Sequence, residues 1–272
     1  MLGRGELADA VTEGEDVGWA SGAGVRMGLA KAVQHAVHLG CDLRGRRKQD
    51  VRVDIALQRF ARAADLAAHA RMCVERGVGC LCVRSCDVAE AVRLVAGSPV
   101  AVAAVIGFPH GAVRPEVKAL EARLALADGA RELDMVLNIG GLKSGREDLV
   151  CDDIRAVVAE AKPARAIVKV ILETCYLTPA EIRTACRLAE EAGADFVKTS
   201  TGFGVKASGS TGATPEAVRI MLDAVGGRLQ VKASGGIRAW ADAIAYLDMG
   251  CTRLGVGDAA AILDGRGVAG GY

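Results

Sequence analysis

The stretch Val100-Ala101-Val102-Ala103-Ala104-Val105-Ile106 contains no polar residue and is rich in β-branched valine. An uninterrupted apolar run of this kind is typical of a parallel strand that is buried on both faces. The chain then repeats a helical stretch, a glycine-containing stop and a short apolar strand, as at Gly129-Ala130 before Leu133-Asp134-Met135-Val136 and at Gly193-Ala194 before Phe196-Val197-Lys198. This repeated pattern predicts successive strand and helix units in one parallel sheet.

Eight segments have the length and composition of such strands, and they follow one another at intervals of about 20 to 35 residues, as βα units do. They lie near residues 51–55, 79–83, 101–107, 132–137, 166–173, 195–200, 229–234 and 253–256. Eight units predict a single (β/α)8 TIM barrel over residues 50–265, with a partly helical N-terminal extension over 1–49 and a C-terminal tail over 266–272. An open doubly wound sheet is the alternative, although no glycine-rich dinucleotide-binding turn follows the first strand.

Helix boundaries are marked by residues with known capping preferences. Thr178-Pro179-Ala180-Glu181 has a capping threonine, a proline at the first helical position and a glutamate three residues after the cap; Thr214-Pro215 shows the first two of these features. Gly129, Gly193 and Gly250 stand where helices are expected to end, since glycine adopts the positive φ of a helix C-cap without strain.

The charge balance and hydropathy exclude several kinds of partner. The chain has 34 basic and 33 acidic side chains and a net charge of +1, so no overall field attracts nucleic acid or a membrane surface. No apolar run reaches the ~18 residues of a membrane-spanning helix, and the N-terminus lacks the charged start and apolar middle of a signal peptide. We expect a cytoplasmic protein that acts on small molecules.

The nine cysteines are scattered through strand-like and helix-like segments, which favours a reduced compartment over a disulfide framework. Cys80, Cys82 and Cys86 come nearest to a metal-binding pattern, but no CxxC pair accompanies them. We therefore expect buried thiols that behave as small apolar groups, and we expect no metal site and no cofactor.

Charged residues interrupt the apolar strands. Asp134 is expected to close the fourth strand, Lys198 the sixth and Lys232 the seventh, while Lys169 lies within the fifth. A buried ammonium must be paired, or its pKa must fall until it loses its proton. One interpretation is a structural network in which each lysine pairs with Asp134 or Glu173. The other is an active site, because catalytic groups of TIM barrels lie at the C-terminal ends of the strands.

Two lysines and one acid in a single site favour Schiff-base chemistry. A neutral lysine amine attacks carbonyl carbon, and a second ammonium nearby lowers the pKa of the first by like-charge repulsion. The resulting iminium accepts electrons, so a proton leaves the adjacent carbon and the enamine adds to an aldehyde. This pattern predicts a metal-independent aldol reaction.

Glycines are concentrated in the loops after the late strands. They occur in Thr201-Gly202-Phe203-Gly204, in Gly235-Gly236 and in Gly255-Val256-Gly257. Exposed backbone N–H groups in such loops bind phosphate, and barrels often place a phosphate site after strands seven and eight. The position of these loops beside Lys232 favours that interpretation.

Five stretches, taken in order, resemble the deoxyribose-phosphate aldolases, a class I family with a (β/α)8 barrel. They are Val105-Ile106-Gly107-Phe108-Pro109-His110-Gly111-Ala112, Glu132-Leu133-Asp134-Met135-Val136-Leu137-Asn138-Ile139-Gly140, Val168-Lys169-Val170-Ile171-Leu172-Glu173-Thr174-Cys175, Phe196-Val197-Lys198-Thr199-Ser200-Thr201-Gly202-Phe203-Gly204 and Val231-Lys232-Ala233-Ser234-Gly235-Gly236-Ile237-Arg238. The resemblance covers residues 51 to 260.

The resemblance implies a role for each of three residues. Lys198 would form the Schiff base, Lys232 would tune its pKa, and Asp134 would relay protons through water. The implied reaction reversibly joins acetaldehyde, held as the enamine, to D-glyceraldehyde 3-phosphate and gives 2-deoxy-D-ribose 5-phosphate. A homodimer is also implied.

Two stretches depart from the family pattern. The first strand reads Asp54-Ile55-Ala56-Leu57-Gln58, where the family has an Asp-x-Thr-Leu-Leu-like sequence, and the eighth reads Gly255-Val256-Gly257-Asp258, where the family has a Gly-x-Ser-Ser phosphate site. Two hydroxyl donors are missing, and Asp258 would repel phosphate unless it points away. We predict an intact Schiff-base site with weaker phosphate binding and a preference for less phosphorylated aldehydes. Lys206 would restore a positive charge, unless it is an ordinary solvated lysine.

Candidate substrate-binding residues are Asp54, Cys82, Thr201, Gly202, Gly235, Gly236 and Gly257. For Cys82 a packed thiol is the alternative. Two alternatives to the overall function are a catalytically silent barrel that binds a sugar phosphate or a protein partner, and a related Schiff-base aldolase with a different substrate. Retention of Asp134, Lys198 and Lys232 argues against the silent barrel, because buried charges are costly without a function.

Overall fold

Eight parallel strands form a closed barrel in the order of the sequence. The structure is a computed structural model that describes residues 53–56, 62–204 and 211–265. The strands are β1 (Val53–Ala56), β2 (Cys80–Val83), β3 (Ala101–Ile106), β4 (Glu132–Val136), β5 (Ile167–Ile171), β6 (Phe196–Lys198), β7 (Gln230–Ser234) and β8 (Arg253–Val256). Strand β8 returns to pair with β1, with Asp54 opposite Gly255. The predicted TIM barrel is confirmed, and the open doubly wound sheet is wrong.

Helices connect the strands and surround the barrel. They are α1 (Ala63–Arg76), α2 (Val88–Leu94), α3 (Pro115–Ala127), α4 (Ile139–Lys143), α5 (Glu147–Ala161), α6 (Pro179–Glu191), α7 (Pro215–Val225), α8 (Trp240–Met249) and α9 (Ala259–Leu263). Short 3-10 turns at Ser85–Asp87 and Thr174–Tyr176 follow β2 and β5. The predictions for residues 1–49, for Lys206 and for residues 266–272 lie outside the described residues.

The predicted helix boundaries are confirmed at the atomic level. Glu181 N donates to Thr178 Oγ1 (3.3 Å) and Thr178 N donates to Glu181 Oε2 (2.7 Å), so α6 begins with a reciprocal capping box. Gly129, Gly193 and Gly250 all have positive φ, between 85° and 119°. The connections between helices and strands are therefore specified locally by the sequence.

Small residues on one side of the barrel interior leave room for long ones on the other. Cys80, Cys82 and Ala103, on β2 and β3, pack together and are almost completely buried. Long basic side chains occupy the interior from β5 to β8 instead. Because the interior of a small barrel is fully packed, this distribution of sizes allows four basic side chains to be enclosed: Lys169, Lys198, Lys232 and Arg253.

Within the described ranges, no helix is long and apolar enough to cross a lipid bilayer. The eight cysteines that fall in these ranges are all free thiols, and six of them are buried.

Candidate active site

The strands place Asp134 and Lys232 differently from the sequence-based expectation. Lys198 is the last residue of β6, as predicted, but Asp134 and Lys232 lie in the middle of β4 and β7. The prediction that these two residues close their strands was wrong, because each strand continues for two further residues, as far as Val136 and Ser234. Both side chains project into the barrel rather than from its rim.

Asp134 is the centre of the site because three lysines donate to its carboxylate. Lys169 Nζ lies 2.7 Å from Asp134 Oδ1, whereas Lys198 Nζ (2.8 Å) and Lys232 Nζ (2.9 Å) share Oδ2. All four side chains are at most 3% exposed. Because Lys198 Nζ and Lys232 Nζ bond to the same oxygen, the two nitrogens are neighbours. Their separation is well within the ~10 Å Debye length of salt solution.

The surrounding charges fix the ionisation of this cluster. Burial alone would raise the pKa of Asp134, but Lys169, Lys198 and Lys232 outweigh it and lower that pKa well below its ordinary value. Burial would likewise lower the pKa of Lys232, but Asp134 and Asp54 raise it well above the ordinary lysine value. Around neutral pH Asp134 is thus an anion and Lys232 an ammonium.

A second group of charges lies deeper in the barrel. Asp54 accepts hydrogen bonds from Lys232 Nζ and from Arg253 Nη1 (2.8 Å). Glu132 accepts from Lys169 Nζ and from both terminal nitrogens of Arg253 (3.2 Å each). Arg253, Glu132 and Asp54 are all almost completely buried. Because both oxygens of Asp54 already pair with cations, its main observed role is to hold Lys232; substrate binding by Asp54 stays a prediction.

One set of potential metal-binding groups lies in the same region. Single ligand atoms of Asp54, Cys80 and Glu132 lie within 4.8 Å of one another. Both carboxylates, however, are engaged by Arg253 and by Lys232 or Lys169. A divalent cation would have to displace these ammonium and guanidinium groups, so the donor set fits ion pairing better than metal binding.

Buried Glu173 organises the loop after β6. It has a positive φ of 55°, which is uncommon for a residue with a side chain. Its carboxyl group accepts from Thr201 N (3.2 Å) and from Thr201 Oγ1, and Thr201 Oγ1 in turn accepts from Phe203 N (2.9 Å). Phe203 packs edge-to-face on Phe108, with ring centroids 5.2 Å apart. The Thr201–Gly204 loop is therefore held in place at the barrel mouth.

Glycine is needed after β7 because of the backbone conformation there, and it is needed within β8 because a larger residue would not fit. Gly235 and Gly236 have φ near +80°, which only glycine adopts freely. A Cβ at Gly255 would overlap Ser234 Oγ and lie 3.2 Å from Lys232 Cε. Glycine at position 255 thus provides the space in which the Lys232 side chain lies.

Asp258 does not point freely into the mouth. Its Oδ1 accepts from Ala261 N (2.8 Å) and caps the short helix α9. One backbone donor of this helix is therefore already used by a carboxylate, next to Gly257. Such an arrangement leaves less positive potential for an anionic ligand.

Cys82 contacts the site as a buried thiol. Its Sγ lies 4.0 Å from Asp134 Oδ2. Burial, with a smaller contribution from Asp134, raises the pKa of Cys82 to about 11, so the group remains protonated around neutral pH. Substrate binding by Cys82, like that by Thr201, Gly202, Gly235, Gly236 and Gly257, stays a prediction.

Residues 24–255 match the family model described as DeoC/LacD family aldolase. The chain belongs to this aldolase family. It is 48% identical over 211 residues to the deoxyribose-phosphate aldolase of Carboxydothermus hydrogenoformans, covering 77% of this chain and 90% of that one. Identity to the deoxyribose-phosphate aldolase of Thermococcus gammatolerans is 47%, covering 77% and 92%.

Solved structures agree with the family assignment. A deoxyribose phosphate aldolase from Aeropyrum pernix, described as a tetramer, superposes with a TM-score of 0.72 at 32% identity, covering 79% of this chain and 89% of that one. The expected resemblance and the expected carbon–carbon lyase are confirmed for this DeoC/LacD aldolase. A catalytically silent barrel is not supported.

Three residues of the aldolase site were not among the sequence-based candidates. Lys169 was noticed in its strand without a role, and Glu132 and Arg253 were not selected. Glu132 and Arg253 are the first residues of β4 and β8, and Lys169 lies in the middle of β5; all three are followed by an apolar residue. The sequence did contain a signal for these residues, namely a charged residue at an inward-facing position of an apolar strand. Glu132, for example, lies two residues before Asp134 on β4 and so faces the same side of the strand.

Proposed function

We propose that this aldolase forms a Schiff base with acetaldehyde through Lys198 and reversibly joins it to D-glyceraldehyde 3-phosphate, giving 2-deoxy-D-ribose 5-phosphate. The observation that carries the proposal is the shared contact of Lys198 and Lys232 with one oxygen of Asp134, at 2.8 and 2.9 Å. A neutral nucleophile, an adjacent ammonium and a bridging carboxylate are the groups that the reaction needs. The names of the relatives support the substrate.

The chemistry follows from these three side chains. The Lys198 amine attacks the carbonyl carbon of acetaldehyde, and the carbinolamine loses water to give an iminium. A proton then leaves the methyl carbon, and the enamine attacks the aldehyde carbon of the acceptor. Hydrolysis of the new iminium releases the product and regenerates Lys198.

Asp134 and Lys232 have different proposed roles in the reaction. Asp134 has a strongly lowered pKa, so it stores a proton poorly; we propose that it acts as the hydrogen-bond bridge along which protons move, with water, to and from the reacting carbon. The Lys232 ammonium opposes a second positive charge on Lys198. This repulsion favours the neutral, nucleophilic form of Lys198.

The proposed substrate preference is shifted away from phosphate. Asp258 caps helix α9, and the serine hydroxyls of the family pattern are missing beside Gly257. Of the two glycines after β7, the Gly235 N–H already donates to Gly255 O (3.3 Å), so we propose Gly236 N–H as the phosphate donor. The acceptor is therefore expected to be bound with less dependence on its phosphate group.

Two measurements test the function. Borohydride reduction in the presence of acetaldehyde should add the mass of an ethyl group to the protein and to Lys162→Met, in which an exposed lysine is removed, but not to Lys198→Met. Turnover of 2-deoxyribose 5-phosphate should then be compared with that of 2-deoxyribose. Absence of the adduct would refute the Schiff base; a strong preference for the phosphorylated sugar would refute only the weakened phosphate site.

We also propose that the chain forms a homodimer through helix α3. Val117, Leu120 and Leu124 of α3 follow one another at helical spacing and, together with Val113 just before the helix, are 40 to 57% exposed. Glu116 and Arg123 flank this stripe near opposite ends, so an antiparallel pair of α3 helices from two copies would bring opposite charges together. Leu120→Glu should convert a dimer to a monomer in analytical ultracentrifugation, while Val74→Glu on α1 should not. A monomeric parent protein would contradict the proposal.

A further inference from the structure

Arg253 and Glu132 form a buried ion pair that the proposed reaction does not use directly. Both terminal nitrogens of Arg253 lie 3.2 Å from Glu132 oxygens, and Nη1 also reaches Asp54 Oδ1 at 2.8 Å. The Arg253 and Glu132 side chains are 3% and 5% exposed. Through Asp54 and Lys169 the pair is joined by hydrogen bonds to the groups around Asp134.

The formal charges of this connected network do not balance if every base is protonated. Its acids are Asp54, Glu132 and Asp134, and its bases are Lys169, Lys198, Lys232 and Arg253. Among the described residues that these ion pairs join, one base is in excess. An uncompensated charge in a buried site is unfavourable, so the network is most stable when one base is neutral.

The structure indicates which base that is. An arginine does not lose its proton in a protein. Lys232 and Lys169 each contact two carboxylates, Asp134 together with Asp54 or Glu132. Burial alone would lower the pKa of both lysines, but these carboxylates raise it above the ordinary lysine value, so both are held as ammonium groups. Lys198, which shares Asp134 Oδ2 with Lys232, is left as the neutral base, and a neutral Lys198 is the form that attacks a carbonyl.

We propose that Arg253 and Glu132 are positioning residues that set the protonation state of Lys198 through the net charge of the buried network. This role rests on the Schiff-base function proposed above. Arg253 neutralises carboxylate charge that would otherwise hold a proton on Lys198. Glu132 acts in the opposite sense, because its negative charge favours protonation of the network.

Other titratable groups near Lys198 do not alter the sign of this effect. Glu173 is bonded to Thr201, and burial raises its pKa. Cys82 is held as a neutral thiol, since burial raises its pKa to about 11. Neither group contacts Arg253 or Glu132 through the described hydrogen bonds. Their contribution to the pKa of Lys198 is therefore the same in every variant.

The test is the pH dependence of acetaldehyde trapping by borohydride. A unit charge within about 10 Å, at an effective dielectric constant of about 20, shifts a pKa by roughly one unit. Arg253→Met should therefore raise the midpoint of the trapping curve by roughly one pH unit, and Glu132→Gln should lower it by a similar amount. The double variant should return close to the parent midpoint, and Arg253→Lys should stay close to it.

Asp153→Asn provides the matched control. Asp153 forms an equally buried pair with Lys118 at 2.5 Å, outside the network, so this variant should lose stability without a shift in midpoint. If Arg253→Met does not fold, Glu132→Gln still tests the sign of the shift, and Arg253→Lys tests whether a positive charge at position 253 is sufficient to keep the parent midpoint. Shifts of both single variants in one direction, or an unshifted Glu132→Gln, would overturn the inference while adduct formation persists; failure of the parent protein to form an adduct would overturn the proposed function instead.

Discussion

Replacing Asp134 by asparagine removes one charge from the centre of the site with almost no change of shape. Both carboxylate oxygens accept from lysines, Oδ1 from Lys169 and Oδ2 from Lys198 and Lys232. The asparagine side chain has only one oxygen, so its NH2 group must face at least one lysine nitrogen. At least one buried lysine therefore loses its hydrogen bond to residue 134.

The expected cost is large compared with the stability of a domain. Breaking a buried ion pair by removing one partner costs about 3–5 kcal/mol, against a typical total of about 5–15 kcal/mol. For a barrel of this size each kcal/mol corresponds to about 2–4 °C in Tm. Asp134→Asn should therefore lower Tm by about 6–20 °C and abolish aldol turnover.

The pH dependence of the difference has a definite sign. The pKa of Asp134 is lowered well below its ordinary value in the folded protein, so its contribution is fully present above the unfolded-state value of about 4 and is lost as the pH falls through the folded-state pKa. Urea unfolding of both proteins between pH 3 and 8 should give a constant difference above pH 5 that shrinks below pH 4. A difference under about 1 kcal/mol, or one that grows at acid pH, would refute the assigned charges.

Three further substitutions have definite expectations. Gly255→Ala should fold but lose most of its kcat, because the new Cβ would press on Ser234 and on Lys232 Cε; unchanged steady-state kinetics would contradict this reason. Lys118→Met should lower the free energy of unfolding by about 3–5 kcal/mol in urea titrations, since both members of the Lys118–Asp153 pair are fully buried; a cost below 1 kcal/mol would show that the pair is already neutral. Thr178→Ala should cost about 1 kcal/mol through loss of the α6 cap and should leave turnover unchanged, as chemical denaturation and kinetics together can check.

The barrel was predictable because its signals are local. Continuous apolar strands, glycines at helix ends and the Thr178 capping box each depend on a few neighbouring residues, and their regular spacing determined the number of units. The identity of Asp134, Lys198 and Lys232 as candidates was also predictable, because a charged residue within an apolar strand is costly wherever it lies.

The deeper half of the site could not be predicted in the same way. Arg253 and Glu132 are far apart in sequence and pair only because barrel closure places β8 and β4 on facing sides of one small interior. Strand ends are also poorly marked when polar residues continue the strand, and for this reason Asp134 and Lys232 were expected at strand ends and lie at strand centres. The cap formed by Asp258 depends on the conformation of a short helix, which the sequence signals only weakly.

The most direct test of the account is the position of the reduced acetaldehyde adduct. After borohydride treatment and proteolysis, peptide mass spectrometry should locate the ethyl group on Lys198, with Lys169 and Lys232 unmodified. An ethyl group on Lys169 or Lys232 in place of Lys198 would contradict the assignment of the neutral lysine, and with it the charge balance on which the mechanism depends.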